Sequence, residues 1–395
     1  MSRVAEQRTQ SAAGGMVPLT RKSVRSLWGA VCALGVVLNP ASGWADSVPD
    51  LLDTRWDVGA KDCSTRARPP LEMHRYDDQT FVLRESLCAT WEAPFMYLLV
   101  GAKRALLIDT GDVADPGRMP LASTITGLLA EDPHAKMPLV VVHSHTHLDH
   151  CAGDPQFENL PGVQLIPADL DHVRKYFGFA GWPDGVAQVD LGDRVVDVLA
   201  APGHSLAHLV YYDRNTGILF TGDFLLPGRL LVEDIDAYQA SAERVGEFVR
   251  NRPVRVALGG HIEKDHAGEL LPWQSTHHPD ERPLPLPKAD VLALPAALRG
   301  FNGLYSESEG FVIMNPNRVI AASAIAILVL AYSRSCCVGS SAAFVVDLLE
   351  GTARTCSNPR LRLRSSALAD GNLRGRGARP YRAAEVPLTH SLEQA

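Results

Sequence analysis

No apolar run in this chain approaches the roughly 20 residues that a membrane-crossing helix takes. The two most prominent, residues 27–38 and 319–332, hold twelve and fourteen residues. Cysteine is sparse: seven residues at 32, 63, 88, 151, 336, 337 and 356 show no zinc-ribbon spacing, which excludes a cysteine metal framework. Positive charge is not in excess. A formal net charge of -7, with no basic patch interleaved with aromatics, argues against a nucleic-acid binder. No repeat of fixed period is visible, so a solenoid is not indicated. What remains is a chain of 395 residues, 46% hydrophobic, long enough to bury a substantial core in one to three domains.

Histidine, by contrast, is concentrated. Four of the fourteen histidines fall between His143 and His150, directly after the β-branched run Val140-Val141-Val142. Such a run reads as a buried strand, and the polar residues after it as a loop at its carboxyl end. His145, His147, Asp149 and His150 are imidazoles and a carboxylate at short spacing, the donor set a divalent first-row metal takes. A histidine-rich tract can also be an incidental chelator. The strand context argues against that reading here.

Three later strands end alike. Residues 195–201 lead to Gly203-His204, 218–220 to Gly222-Asp223, and 254–258 to Gly259-Gly260-His261. Each delivers one metal-competent side chain beside a glycine, which lets the backbone turn sharply and approach closely. Further strands are expected at 81–83, 95–100, 105–108, 163–166 and 208–212, with helices at 121–129, 167–176 and 237–250. The interleaving points to a layered α/β domain. Residues 176–183, aromatics among glycines and a proline, read either as a loop covering the site or as packing beneath a surface loop.

The pattern His145-x-His147-x-Asp149-His150, followed by His204, Asp223 and His261, resembles the metallo-β-lactamase superfamily of binuclear metallohydrolases. The likeness runs from about residue 81 to 261, and Asp109 matches the acidic turn before the histidine motif. It implies an αββα sandwich, two mixed β-sheets face to face with helices outside. It also implies two Zn2+ ions, with iron and manganese as alternative metals. His145, His147 and His204 would hold one metal, Asp149, His150 and His261 the other, and Asp223 both. His143 has no place in that pattern and is expected to be a packed or supporting residue.

The activity implied is a hydrolase that cleaves an ester, thioester or lactone-type bond of a small molecule with a dimetal-bridged hydroxide. Asp149 is the catalytic candidate, as the acceptor of a hydrogen bond from the attacking oxygen. No serine or cysteine nucleophile is needed, and Cys151 and Ser205 are expected to pack. Residues 221–228 resemble the thioester-cleaving glyoxalase hydrolases, although their basic glutathione-binding region is not found after His261. In the superfamily the true β-lactamases generally lack a bridging aspartate, so Asp223 tilts the reading away from β-lactams. The alternatives are a β-lactam hydrolase, a mononuclear iron sulfur dioxygenase, and a non-catalytic binding relative.

The ends have their own character. Residues 1–45 read as a signal peptide: Arg21, Lys22 and Arg25, an apolar stretch, then small residues before Asp46. Export to the periplasmic or extracellular side would permit a disulfide, for which Cys63 and Cys88 are the pair to test. The catalytic domain is expected over 46–275 and a Pro-rich linker and C-terminal extension over 276–318. Residues 319–332, short for a span unless flanking residues contribute, are read as a transmembrane anchor. Residues 333–395, with eight arginines between Arg354 and Arg382, are read as a disordered basic tail.

Overall fold

The strand that precedes the histidine motif, β5 (Leu139–Val142), is buried on both faces, and each face fills a different core. Val140 and Val142 enter one, Leu139 and Val141 the other, as the two-residue period of a strand requires. The structure is a computed structural model and describes residues 54–65, 68–131 and 138–335. In it β5 belongs to a six-stranded sheet ordered β1 (Leu71–Asp77), β2 (Thr80–Glu85), β3 (Phe95–Val100), β4 (Ala105–Ile108), β5 and β6 (Val163–Leu165). Strands β1 to β4 are antiparallel, whereas β4, β5 and β6 run parallel.

The second sheet contains β7 (Val186–Asp190), β8 (Val195–Ala200), β9 (Leu209–Asp213), β10 (Ile218–Gly222) and β12 (Val256–Gly259), in the order β12-β10-β9-β8-β7. Its only parallel pair among these strands is β10 with β12. The inner faces of the two sheets share one core, in which Tyr97, Ile108 and Val142 meet Val198, Tyr211 and Phe220. The outer face of the first sheet is covered by α1 (Leu121–Glu131), through Leu121 and Ile125. The outer face of the second is covered by α4 (Ile235–Arg250) and α5 (Lys288–Arg299), through Val245, Phe248, Val291 and Leu294. Helix, sheet, sheet, helix is the αββα sandwich expected from the sequence.

Local chemistry starts α4. The Asp234 carboxylate accepts a hydrogen bond from the Ala237 N–H, satisfying one of the otherwise unpaired amides of the first turn. Tyr238, Ala242, Val245 and Val249 then recur at helical spacing on the buried face. The aromatic stretch 176–183 follows α3 (Leu170–Phe177), which ends at Gly178 in left-handed conformation. Phe179 is buried in the inter-sheet core, and Tyr176, Phe177 and Trp182 pack against it. Of the two readings of this stretch, packing is the one observed.

The chain continues beyond the second sheet as part of the body. A third sheet orders β11 (Arg229–Leu231), β14 (Val312–Met314) and β13 (Tyr305–Glu307), with β11 and β14 parallel. Leu286 exchanges backbone hydrogen bonds with Ala257 at 2.8 and 2.9 Å, and Leu284 and Leu286 enter the two cores. The region expected as linker and extension, 276–318, is therefore fastened down over much of its length. Single backbone bridges hold an extended Pro-rich segment without any apolar period, which is why the sequence concealed the packing.

Two units are distinguished along the chain, Met1–Val319 and Ile320–Ala395. Helix α6 (Pro316–Ser335) contains the apolar run 319–332. Among the described residues, however, no helix is long and apolar enough to cross a membrane. The expected transmembrane anchor is thus not supported: fourteen apolar residues make only ~21 Å of helix against a hydrocarbon core of ~30 Å. The signal peptide at 1–45 and the basic tail beyond Ser335 lie outside the described residues.

Candidate metal centre

Four strand ends of the two sheets open at one edge. β4 ends in Asp109, β5 leads to the 143–150 segment, β10 ends beside Asp223 and β12 leads to His261, while the loop after β8 carries His204. Backbone bonds fasten these ends together. Phe95 N–H donates to Gly260 O at 2.8 Å, and Leu209 N–H to Ser144 O at 2.7 Å. Asp149 and His150 stand on the short helix α2 (Leu148–Cys151). The glycines allow the close approach expected of them. A Cβ at Gly260 would lie 2.4 Å from Asp223 Oδ1, and one at Gly203 would lie 2.4 Å from Tyr238 Cα.

All seven residues singled out as ligands come together, in two groups: His145, His147 and His204, and Asp149, His150, Asp223 and His261. In the first group His204 Nε2 lies 3.2 Å from His145 Nε2 and 3.0 Å from His147 Nδ1. In the second, His261 Nε2 lies 3.3 Å from His150 Nε2 and 3.1 Å from Asp149 Oδ2. Asp223 faces both groups. Its Oδ2 is 3.6 Å from His204 Nε2 and 4.0 Å from His145 Nε2, and its Oδ1 is 3.4 Å from His150 Nε2 and 3.6 Å from His261 Nε2.

The far ring nitrogens are committed elsewhere. His204 Nδ1 donates to Leu231 O at 2.9 Å, and His261 Nδ1 to Glu92 O at 2.8 Å. Ser144 donates its hydroxyl to Asp109 Oδ2 at 2.8 Å and so accepts from His145 Nδ1 at 3.0 Å. His150 Nδ1 donates to the same Asp109 Oδ2 at 2.9 Å. With Nδ1 so engaged, all four imidazoles turn Nε2 inward, as a lone pair where the ring is neutral. Supporting groups of this kind fix both tautomer and ring orientation in metal sites.

The charges in the two groups differ. Burial pushes His145 and His204 below the ordinary imidazole range, His145 further down through the neighbouring imidazoles. Both stay neutral, and their converging lone pairs have no proton between them. Burial also opposes charge on His150 and His261, but Asp149 and Asp223 outweigh it, raising His150 well above its ordinary value and His261 to about 10. Burial alone would raise the carboxyls of Asp149 and Asp223, yet the same imidazoles hold both below the ordinary carboxylate range. Asp223 Oδ1 is buried and accepts no hydrogen bond among the described residues. The first group offers converging lone pairs, and in the second a divalent cation would displace the protons that the carboxylates hold on His150 and His261 and meet the unpaired Asp223 oxygen, so the donor set fits the implied metals.

The residues set aside on sequence grounds behave accordingly. His143 is buried, with Nδ1 3.1 Å from Ile166 O and Nε2 2.8 Å from Asp154 Oδ1. Cys151 Sγ points to His147 O at 3.3 Å, and burial pushes its thiol up to about 11, where it stays protonated. Ser205 Oγ is 3.1 Å from Thr146 Oγ1 and packs. Sequence reading missed His208, a buried imidazole stacked on His145 with ring centroids 5.0 Å apart. Its strand-start position resembled any other, and only its being a histidine could have marked it. The carbonyls of Leu231 and Glu92 leave no trace in side-chain chemistry at all.

The segment that carries these residues is similar to known proteins. The family model described as "Metallo-beta-lactamase superfamily" matches residues 89–261. The chain is 26% identical over 236 residues to the acyl-coenzyme A thioesterase MBLAC2 of Homo sapiens, covering 51% of this chain and 84% of that protein. It is 32% identical over 145 residues to the hydroxyacylglutathione hydrolase of Nostoc punctiforme, covering 34% of this chain and 51% of that protein. Among solved structures, a metallo-beta-lactamase from Pontibacter korlensis matches with a TM-score of 0.40 and 18% identity, over 57% of this chain and 99% of that one.

Proposed function

The chain belongs to the metallo-β-lactamase superfamily, and from that premise we propose that it is a zinc-dependent hydrolase of small-molecule thioesters. The observation that carries the reading is Asp223, whose two oxygens face two separate donor groups at 3.4–4.0 Å. One carboxylate so placed would serve as a ligand to an ion in each group. His145, His147 and His204 would hold the first ion, Asp149, His150 and His261 the second. Bound divalent cations supply a water of lowered pKa and polarise the carbonyl under attack.

The protein's own groups do the rest. Asp149 stays ionised beside His150 and His261, and its carboxylate accepts a hydrogen bond from the attacking water and directs it at the carbonyl carbon. Asp109, through Ser144 and His150, keeps the imidazoles turned inward. The choice of a thioester rests on the two relatives, because acyl-coenzyme A and hydroxyacylglutathione are both thiol esters. The Cys63–Cys88 disulfide suits an oxidising compartment, and export is part of the same proposal.

Metal analysis of the purified protein, with thiol release from acetyl-coenzyme A and S-lactoylglutathione followed by a thiol-reactive dye, tests the reading. Two zincs per chain and thiol release abolished by chelation are expected. One iron with oxygen consumption, or release that survives chelation, would overturn it.

A further inference from the structure

Three of the seven proposed ligands are almost sealed, while His147 is not. The side chains of His145, His150 and His204 are at most 1% exposed, whereas that of His147 is 39% exposed. Asp149, two residues on, keeps 18% of its side chain exposed. Solvent therefore reaches the site past residues 147–149.

Between those two ligands stands Leu148. It is 73% exposed, and Leu206, two residues beyond His204, is 67% exposed. Among the described residues of the first unit, these are the two most exposed large apolar side chains. Their loops touch: Thr146 Oγ1 is 3.1 Å from Ser205 Oγ, and His147 Nδ1 is 3.0 Å from His204 Nε2. Single exposed leucines need no explanation, but two flanking the open ligand of one centre do. The surface beside His261 differs in character. There Trp91 and Trp273 lie 5.4 Å apart beside Glu92, Glu263 and Arg229, and Arg229 pairs with Glu263 at 3.2 Å.

We propose that Leu148 and Leu206 form an apolar lip that receives the acyl chain of the substrate, making this a hydrolase of thioesters with extended hydrocarbon acyl groups. The proposal rests on the thioester reading above and adds which end of the molecule is recognised. A polar acyl group would leave two leucines facing water at the mouth. A hydrocarbon chain removes both from water as its carbonyl reaches the centre, and each buried methylene contributes to binding. The chain thus supplies affinity, and the ligands supply the chemistry.

The test combines binding with turnover. Binding of S-ethyl- and S-dodecyl-coenzyme A, which are thioethers and cannot be hydrolysed, is measured by calorimetry on the full chain before and after metal removal. Turnover of acetyl-, hexanoyl- and dodecanoyl-coenzyme A is followed as thiol release. The unmodified protein is expected to gain at least tenfold in both affinity and kcat/KM from the short to the long chain. Leu148→Ser with Leu206→Ser should cut that long-to-short ratio at least tenfold, while Leu148→Met with Leu206→Met keeps it. Both sites are largely exposed, so the variants should fold, and circular dichroism checks this. No chain-length preference, or one that persists in the double serine variant, overturns the lip. So does leucine-dependent binding to phosphatidylcholine vesicles, or leucine-dependent dimerisation, without thioether discrimination. If no thioester is cleaved but dodecyl binding still depends on the leucines, the hydrolase reading fails and the lip stands.

Discussion

Two kinds of buried charge coexist in this protein. Arg194 and Asp213 lie between the sheets almost without exposure, and they close on themselves. The guanidinium reaches Asp213 Oδ2 at 2.7 Å, Thr80 Oγ1 at 2.8 Å and the Gln79 carbonyl at 2.8 Å, while Asp213 also accepts from Thr216. Arg84 and Glu281 pair the same way, at 2.6 and 2.7 Å. The centre around Asp223 is buried at its base but does not close. It leaves one carboxylate oxygen unpaired, and inward lone pairs on several imidazoles. Folding normally neutralises a buried charge with a counter-charge from the chain. Around Asp223 the first group of imidazoles stays neutral with lone pairs turned inward, and an outside cation is what those lone pairs could take.

This contrast can be broken most sharply at Asp223. Asp223→Ala is expected to lower kcat/KM at least about 10³-fold, roughly 4 kcal/mol at 1.36 kcal/mol per decade. It should disturb metal content at both sites and leave the circular dichroism unchanged. An active variant with normal metal content would remove the bridging role. At the closed pair the penalty should appear in stability instead. Arg194→Met strands Asp213 in the core and should cost about 3 kcal/mol in urea unfolding, the scale for breaking a buried pair. A variant as stable as the parent would mean that the pair is not what closes that region.

Asp109→Asn tests the supporting layer between the two. The backbone of Asp109 is left-handed, with φ of 68°, a conformation asparagine tolerates, so the fold should survive. Loss of the carboxylate from Ser144 and His150 should weaken metal affinity about 10- to 100-fold in a chelator competition. Unaltered affinity would make Asp109 a packing residue only.

Acid should act on the closed pair through Glu281. Burial alone would raise its carboxyl, but Arg84 and His278 together hold it below the ordinary range. A carboxyl depressed in the folded state stabilises above its unfolded value of about 4.3 and loses that contribution as pH falls through the folded value. Unfolding free energy measured below pH 4.5 should therefore fall more steeply in the parent than in Glu281→Gln. Equal slopes would refute the pairing as a source of acid sensitivity. The smallest effect belongs to Cys151→Ser: with its thiol raised to about 11, serine should keep activity within about twofold. A large loss would bring sulfur into the chemistry.

Much of this was legible in the chain itself. The β-branched run before His143 announced β5, and each later ligand followed a strand and a glycine, so the order of the ligands and the layered class could be read directly. Periodicity carries that information because a strand or helix shows its buried face as a repeat. Short or irregular pieces carried no such signal. β1 and β7 are mostly unburied strands at the sheet edges, β11, β13 and β14 have three residues each, and the 276–286 stretch is held by isolated backbone bridges. The apolar run 319–332 shows the opposite error, since hydrophobicity alone suggested a span that helix α6 does not provide among the described residues.

What the sequence determined was the inventory: seven donors of the right chemical type, each at the end of an element that could be recognised from its own residues. Tertiary structure alone decided how those donors are used. Asp223 turns one oxygen to each group because β10 and β12 run in parallel beside each other and place it next to His261. The ring orientations of His204 and His261 follow from the carbonyls of Leu231 and Glu92, which stand 27 and 169 residues away along the chain. Every residue carries the same carbonyl, so composition cannot mark which one will be met. Only packing brings it within hydrogen-bonding reach.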